Sequence, residues 1–407
     1  MRERGAIGSR VVPWLAFSWG FCTFFPVGVA YAHMLLLLVF LAVDMNRRLP
    51  GLPQQRLLLW PMAAVLVWTL VALAAGAWVE DSPTRIFHIV RVLLLLLMGM
   101  LLTRHEAAMA IRGLLVGALM AAWIVAAHHI WGMPPWILWN SLLTSRQNFS
   151  SANMIMLAIA AALFFHFGLR NDQNWIDRWV AWLAALILAV TVAAHAVSRN
   201  AQILLPVLFA LAVLYHYRAW RALWASMALV LAMVLGAFYG SPTTQTRFFD
   251  MVKEARQVAN SSVYTTSVGE RWRMHEEAVR GMLAHPVFGT GVGSWLPRWR
   301  VVAQESMGAL TPVQRQRHME INNPHNDYLL AGMETGIPGM LAMVWLLLAF
   351  MVAGWRQWST AGGVTIMLAV ALAVTALINA PLRDAAMGMT LLWLLGASVA
   401  QRGKGRS

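Results

Sequence analysis

Apolar runs long enough to cross a membrane alternate with short polar connectors along this chain, and the alternation is interrupted once. A bilayer-spanning helix needs roughly 17 to 25 mostly apolar residues. By that measure about twelve segments qualify, near residues 11–26, 28–43, 57–79, 86–102, 107–131, 150–169, 179–197, 200–216, 220–240, 326–354, 361–379 and 385–400. The first two almost fuse at Phe25-Pro26-Val27-Gly28. The interruption is residues 241–324, too polar to cross, between the ninth and tenth runs. The pattern predicts an all-α polytopic membrane protein in three parts. Residues 1–240 form a membrane domain with nine spans, 241–324 a loop domain, and 325–407 a second membrane part with three spans and a tail.

Composition agrees with that pattern. Of 407 residues 59% are hydrophobic and 12% charged, against roughly 45–50% and about 25% in ordinary globular domains. Charge then orients the chain. With the N-terminus in the cytoplasm, about 16 Arg and Lys lie in inner loops and tails and about four in short outer loops, which is the asymmetry that fixes topology. Both termini are therefore expected in the cytoplasm and the insertion on the outer face. Trp60, Trp78, Trp131, Trp175, Trp179, Trp220 and Trp355 fall at predicted span ends, where amphipathic rings sit at headgroup level.

The net charge of +14 is scattered one or two arginines per loop, without the basic stripe a nucleic-acid partner would need. Cys22 is the sole cysteine, which excludes an intramolecular disulfide and a thiolate metal cluster. Arg2 to Arg10, an apolar run and Ala30-Tyr31-Ala32 resemble a cleavable leader, but the apolar run continues at once into a second span and favours a retained helix.

Inside the insertion, a charged helical stretch is expected over Asp250–Gln257 and a loop over Asn260–Gly269. Trp272, Ala278, Val279, Met282 and Leu283 recur at helical intervals over Glu270–Ala284, and His285-Pro286 should end that amphipathic helix. Gly289-Thr290-Gly291-Val292-Gly293-Ser294 could cradle a phosphate, but no strand precedes it, and a tight turn permitting close backbone packing is the better reading.

Several outer residues carry two readings each. Arg199, after Ser198 at the start of a span, is either a snorkelling interfacial cation or a bidentate anion contact. Arg271, between Glu270 and Arg273, is either part of a solvated charged face or a contact for a lipid-linked phosphate. Arg146 shares these readings, and Asp384 beside Arg383 reads most simply as a helix-start carboxylate. In Asn322-Asn323-Pro324-His325-Asn326, Asn323 before Pro324 suits a helix cap. The imidazole of His325 is not explained that way, and at the mouth of a membrane cavity it would suit a general base. A metal site from His318, Glu320, His325 and Asp327 fits no compact zinc spacing.

Three ordered matches resemble the O-antigen ligase family: Ser198-Arg199-Asn200 opening a span, Gly269-Glu270-Arg271 through His285-Pro286-Val287-Phe288-Gly289-Thr290-Gly291, and His325-Asn326 opening the next span. The resemblance implies a GT-C-like membrane glycosyltransferase of the bacterial inner membrane, metal-independent and inverting, acting on the periplasmic face without a cofactor. Its donor would be O antigen on undecaprenyl diphosphate and its acceptor a hydroxyl of the lipid A-core oligosaccharide. Carried over, His325, Arg271 and Arg199 would be catalytic, with Arg199, Arg271 and Arg146 on the donor diphosphate and Asn326 and Asp384 in support. O-antigen polymerases and protein O-oligosaccharyltransferases share the arginine and histidine pattern. A transporter for lipid-linked sugars is a further alternative, disfavoured because the insertion after the ninth span has no counterpart after the third.

Overall fold

The computed structural model describes residues 2–132, 148–170, 174–195, 199–240, 242–261, 266–305 and 312–400. The regular elements among them are helical, with no strand. The membrane part begins with α1 (Arg2–Phe21), α2 (Val27–Val43), α3 (Arg56–Ala75), α4 (Ser82–Met100), α5 (Arg104–Trp131), α6 (Asn148–Gly168), α7 (Trp175–His195), α8 (Arg199–Tyr217) and α9 (Trp220–Gly240). The insertion holds α10 (Pro242–Ser261), α11 (Ser267–Ala284), α12 (Trp295–Glu305) and α13 (Pro312–Met319). The chain then returns through α14 (Asp327–Gln357), α15 (Thr360–Ile378) and α16 (Ala385–Ser398).

Each of the twelve apolar runs is occupied by a helix. Among the described residues nine helices are long and apolar enough to cross a membrane, and ten if α2 is joined to the bent segment after it. The other two are α1, which starts among arginines, and α16, with only 14 residues. Short as it is, α16 is buried from Met387 to Ala397. A helix apolar on every face belongs in an interior, where other helices shield it.

Small residues bring the backbones together there. A side chain at Gly99 would strike the Trp393 carbonyl and one at Gly396 the Leu96 carbonyl, so α4 and α16 touch backbone to backbone. Gly113 and Gly117 seat α5 against Phe17 and Phe21 of α1 in the same way. Apolar burial gives little drive between helices in lipid, so such close van der Waals approach carries association. Trp19 of α1 stacks on Trp393 at 4.3 Å and donates its indole N–H to Thr390 at 3.3 Å, tying first helix to last.

The insertion has its own small core. Met274 and Ala278 of α11, Trp295, Trp299, Val302 and Ala303 of α12, and Leu330 and Met333 of α14 are buried together. Thr266 caps α11 by accepting the Gly269 N–H at 3.1 Å, so the helix begins three residues before the expected Glu270. It ends at Ala284, before His285-Pro286 as expected. Of its apolar positions Ala278 is buried, while Trp272 and Leu283 are exposed. α10 runs to Ser261, longer than the Asp250–Gln257 stretch and into the residues read as loop.

The glycine-rich turn packs on α14. Gly289, Gly291 and Gly293 all have positive φ. Thr290 donates its N–H to Met333 and Ile337 donates to Pro286, while Ser82 donates its hydroxyl to Val292. α14 is interrupted at this contact, where Gly336 adopts φ 76° and ψ 176°. Gly289 thus serves close backbone packing against the broken helix, and Gly291 and Gly293 against Ala77 and Asp81-Ser82 before α4.

Candidate functional site

The polar entry to α14 is set by two asparagines. Asn323 accepts the His325 N–H at 2.9 Å, closing a tight turn. Asn326 then caps the helix, accepting the Leu329 N–H at 3.0 Å and donating its amide to the Leu377 carbonyl at 3.1 Å. The cap expected at Asn323 therefore stands three residues later, because Pro324 disfavours helical backbone at Asn323 and the side chain folds into a turn instead. Between them His325 has φ 52°, a left-handed conformation costing a non-glycine residue about 1–3 kcal/mol and concentrated at functional sites.

That backbone aims the imidazole across to the end of α15. His325 Nδ1 lies 3.3 Å from Asn379 Oδ1. The same oxygen accepts the Ala380 N–H at 3.0 Å, which orients the carboxamide. Nδ1 is therefore the donor, and a neutral ring in this tautomer presents Nε2 as its basic nitrogen.

Burial, then the positive charge of Arg271, holds His325 below the ordinary histidine pKa, with Asn379 opposing. His275, one turn after Arg271 on α11, is depressed by burial and by Arg271 as well. Both rings are therefore neutral at pH 7, while Arg271, exposed on α11, remains charged beside them. Glu270 does not neutralise that charge alone. Burial pushes its carboxyl up, and it pairs with His318 at 2.7 Å. His318 is thus turned to Glu270, across the insertion's own core.

Of the other site residues, Asp384 is the N-cap of α16, accepting the Ala386 N–H at 2.9 Å, as the helix-start reading required. Asn326 has both ends of its amide engaged in holding α14. Arg199 opens α8, but its side chain lies outside the described residues, as does Arg146 altogether.

Beneath His325 the sequence reading missed a buried charge cluster. Arg85, expected in an outer loop, lies within α4, because that helix starts earlier, at Ser82 with Pro83 in its first turn. It pairs with Glu334 of α14, and both are buried. Arg383 pairs with Asp81 at 3.0 Å. Arg91 of α4 donates to Tyr31 at 2.9 Å and to the Arg383 carbonyl at 2.7 Å. Asp327 accepts the Leu382 N–H at 2.9 Å, so the turn 379–384 is held from both α4 and α14. The signal for Glu334 was an acid inside a long apolar run, a costly placement that needs a partner.

Within one corner the chain thus joins the Arg271 turn of α11, a strained histidine before a span, and a broken helix beneath it, and those elements fall in one continuous stretch of sequence. Residues 184–344 match the O-antigen ligase family. The matched region runs from within α7 to the middle of α14 and includes Arg199, Arg271, His325, Asn326 and Glu334. Asn379, Arg383 and Asp384, which close the site from the other side, come after it, and Arg85 and Arg146 come before it. A comparison with curated proteins returned no match.

Proposed function

We propose that the protein is an O-antigen ligase, a glycosyltransferase that moves O-antigen polysaccharide from undecaprenyl diphosphate to a sugar hydroxyl of lipid A-core. The observation that carries this reading is His325, fixed through Nδ1 on Asn379 with the Arg271 charge acting on it, inside a region that matches the family. The site faces the periplasm and both termini lie in the cytoplasm, as the loop arginines favour.

The acceptor hydroxyl oxygen attacks the anomeric carbon of the donor sugar and its proton passes to His325 Nε2. The carbon–oxygen bond to the diphosphate breaks from the opposite face, the electron pair leaves with the phosphate oxygen, and the configuration inverts. Arg271, with Arg199 and Arg146, neutralises charge growing on the leaving diphosphate, a contribution made chiefly in the transition state. A depressed histidine pKa suits this role, since the base must be unprotonated before the hydroxyl arrives.

A strain lacking the gene, complemented with wild type or His325→Ala, tests the reading on lipopolysaccharide gels. Bare lipid A-core with polymerised O antigen left on its carrier, restored only by wild type, supports a ligase. Lipid A-core bearing a single repeat identifies a polymerase, and glycan missing from a protein an O-oligosaccharyltransferase. Transfer in detergent by purified protein separates any of these from a transporter, since detergent leaves no compartments.

A further inference from the structure

The turn that follows α11 lies well below the level at which the neighbouring spans end. Down α14, Thr290 donates its N–H to Met333, and Pro286 accepts the Ile337 N–H. Ile337 stands about 15 Å along the helix from its start at Asp327. α3 gives a similar depth. Gly76, at its end, packs against Gly291, whereas Phe288 stacks on Trp68 at 6.0 Å and 11°. Trp68 is about 12 Å from Gly76 at helical rise.

This tip is apolar and open on its outer side. Leu283 is 64% exposed, Val287 50% and Phe288 42%. Around Trp68, Val67, Leu70 and Val71 of α3 are exposed as well. α3 is long and apolar enough to cross a membrane, so those side chains meet lipid, and the tip continues the same surface.

Charge stops above it. Arg280 is the last charged residue of α11 and pairs with Glu276 and Glu277. From Gly281 to Pro297 the chain carries no Asp, Glu, Lys or Arg, although the insertion around it is polar. The backbone of the turn also suits a medium without water. Gly289 donates to the His285 carbonyl at 2.9 Å, Ile337 donates to Pro286 at 2.8 Å, and Pro286 has no N–H to satisfy. Irregular backbone is tolerated at membrane depth where protein satisfies it in this way.

We propose that Leu283, Val287 and Phe288 enter the leaflet on the insertion's side, so that this turn is a re-entrant anchor of the insertion in lipid. Its partner is the acyl-chain edge of the bilayer. Arg280 and the exposed ring of His285 sit at the headgroup boundary, where side chains with an apolar body and a polar tip are at home. The other end of α11 carries Arg271, so the leaflet sets the height of that arginine above the membrane. The inference stands on the placement of the turn and is independent of the chemistry at His325.

Nitroxide labelling of the full chain in phospholipid nanodiscs tests it. In a Cys22→Ser background, Val287→Cys reports on the tip, Leu70→Cys on the lipid-facing surface of α3 and Val313→Cys on the exposed face of α13. All three positions are exposed, so the label displaces no core packing. Oxygen collects in hydrocarbon and a nickel chelate in water, so the ratio of their collision rates tells which medium surrounds a label. The ratio at Val287 should exceed that at Val313 several-fold and match Leu70 more closely. Leu283→Cys gives the same reading should the Val287 variant fail to insert. A tip ratio equal to that of Val313 overturns the proposal, because the turn is then bathed in water. A tip label immobilised and shielded from both reagents also overturns it, and assigns the surface to a protein partner or a second copy of the chain.

Discussion

His325 combines three constraints that pull in different directions: a left-handed backbone, a ring pinned through one nitrogen, and a neighbouring cation. The backbone conformation aims the ring, Asn379 selects its tautomer, and burial together with Arg271 favours its neutral form. Replacement by alanine should cost transfer at least about a hundredfold, the lower end for a lost general base, in an assay of purified protein with lipid-linked donor. Asn379→Leu removes only the acceptor for Nδ1–H. It should lower kcat about tenfold or more while leaving donor KM nearly unchanged, because a misoriented or wrong tautomer spoils proton transfer rather than binding. Arg271 makes the pH dependence informative. A positive charge disfavours the imidazolium, so Arg271→Gln should let the His325 pKa rise, and the acid limb of kcat/KM against pH should move to higher pH. Arg271→Lys should keep the limb nearly in place yet leave donor KM raised, since a point charge does not reproduce a bidentate fork. The histidine and arginines could be picked out from the sequence by type and position. Asn379 could not, because it lies 54 residues from His325 and nothing local distinguishes it from any amide at a span end.

At the scale of elements, the decisive feature is the break in α14. Gly336 leaves the helical conformation just where the turn at Pro286-Val287 reaches it, and an added Cβ there would strike the Val287 carbonyl. Gly336→Ala should therefore destabilise the fold by about 1–3 kcal/mol, the cost of a strained backbone position, seen as a lower midpoint of unfolding in detergent. Two residues earlier, Glu334 pairs with Arg85. Glu334→Gln leaves a buried guanidinium without its counter-charge and should cost about 3–5 kcal/mol in the same measurement. The close-packing turn at Gly289 to Gly293 was predictable from its composition and the lack of a preceding strand. The break it enforces was not, since a glycine followed two residues later by Pro338 is tolerated in many membrane helices. Arg85 was misplaced for a related reason: an apolar-run criterion starts a helix where the charges stop, whereas this helix starts where Pro83 and its first turn allow.

For the whole molecule, the alternation of apolar runs specified the order and class of the elements, because bilayer thickness sets helix length almost regardless of side-chain detail. It did not specify which helix is central. α16 is the shortest of the apolar helices and reads as a marginal span, yet it sits against α4, α15 and α1 with its backbone in contact with α4. Its place after the helices it packs against has a consequence for biosynthesis. Membrane helices emerge and insert in order, and the segment that fills the middle of this bundle emerges after the helices it packs against. Until residues 385–398 arrive, Trp19 lacks the ring it stacks on, and the turn that brings Asn379 to His325 lacks the helix that follows it. A nascent chain stalled before Ala385 should hence remain open to protease on both membrane faces, and the corner around His325, though encoded upstream, should form only after residues 385–398 have emerged.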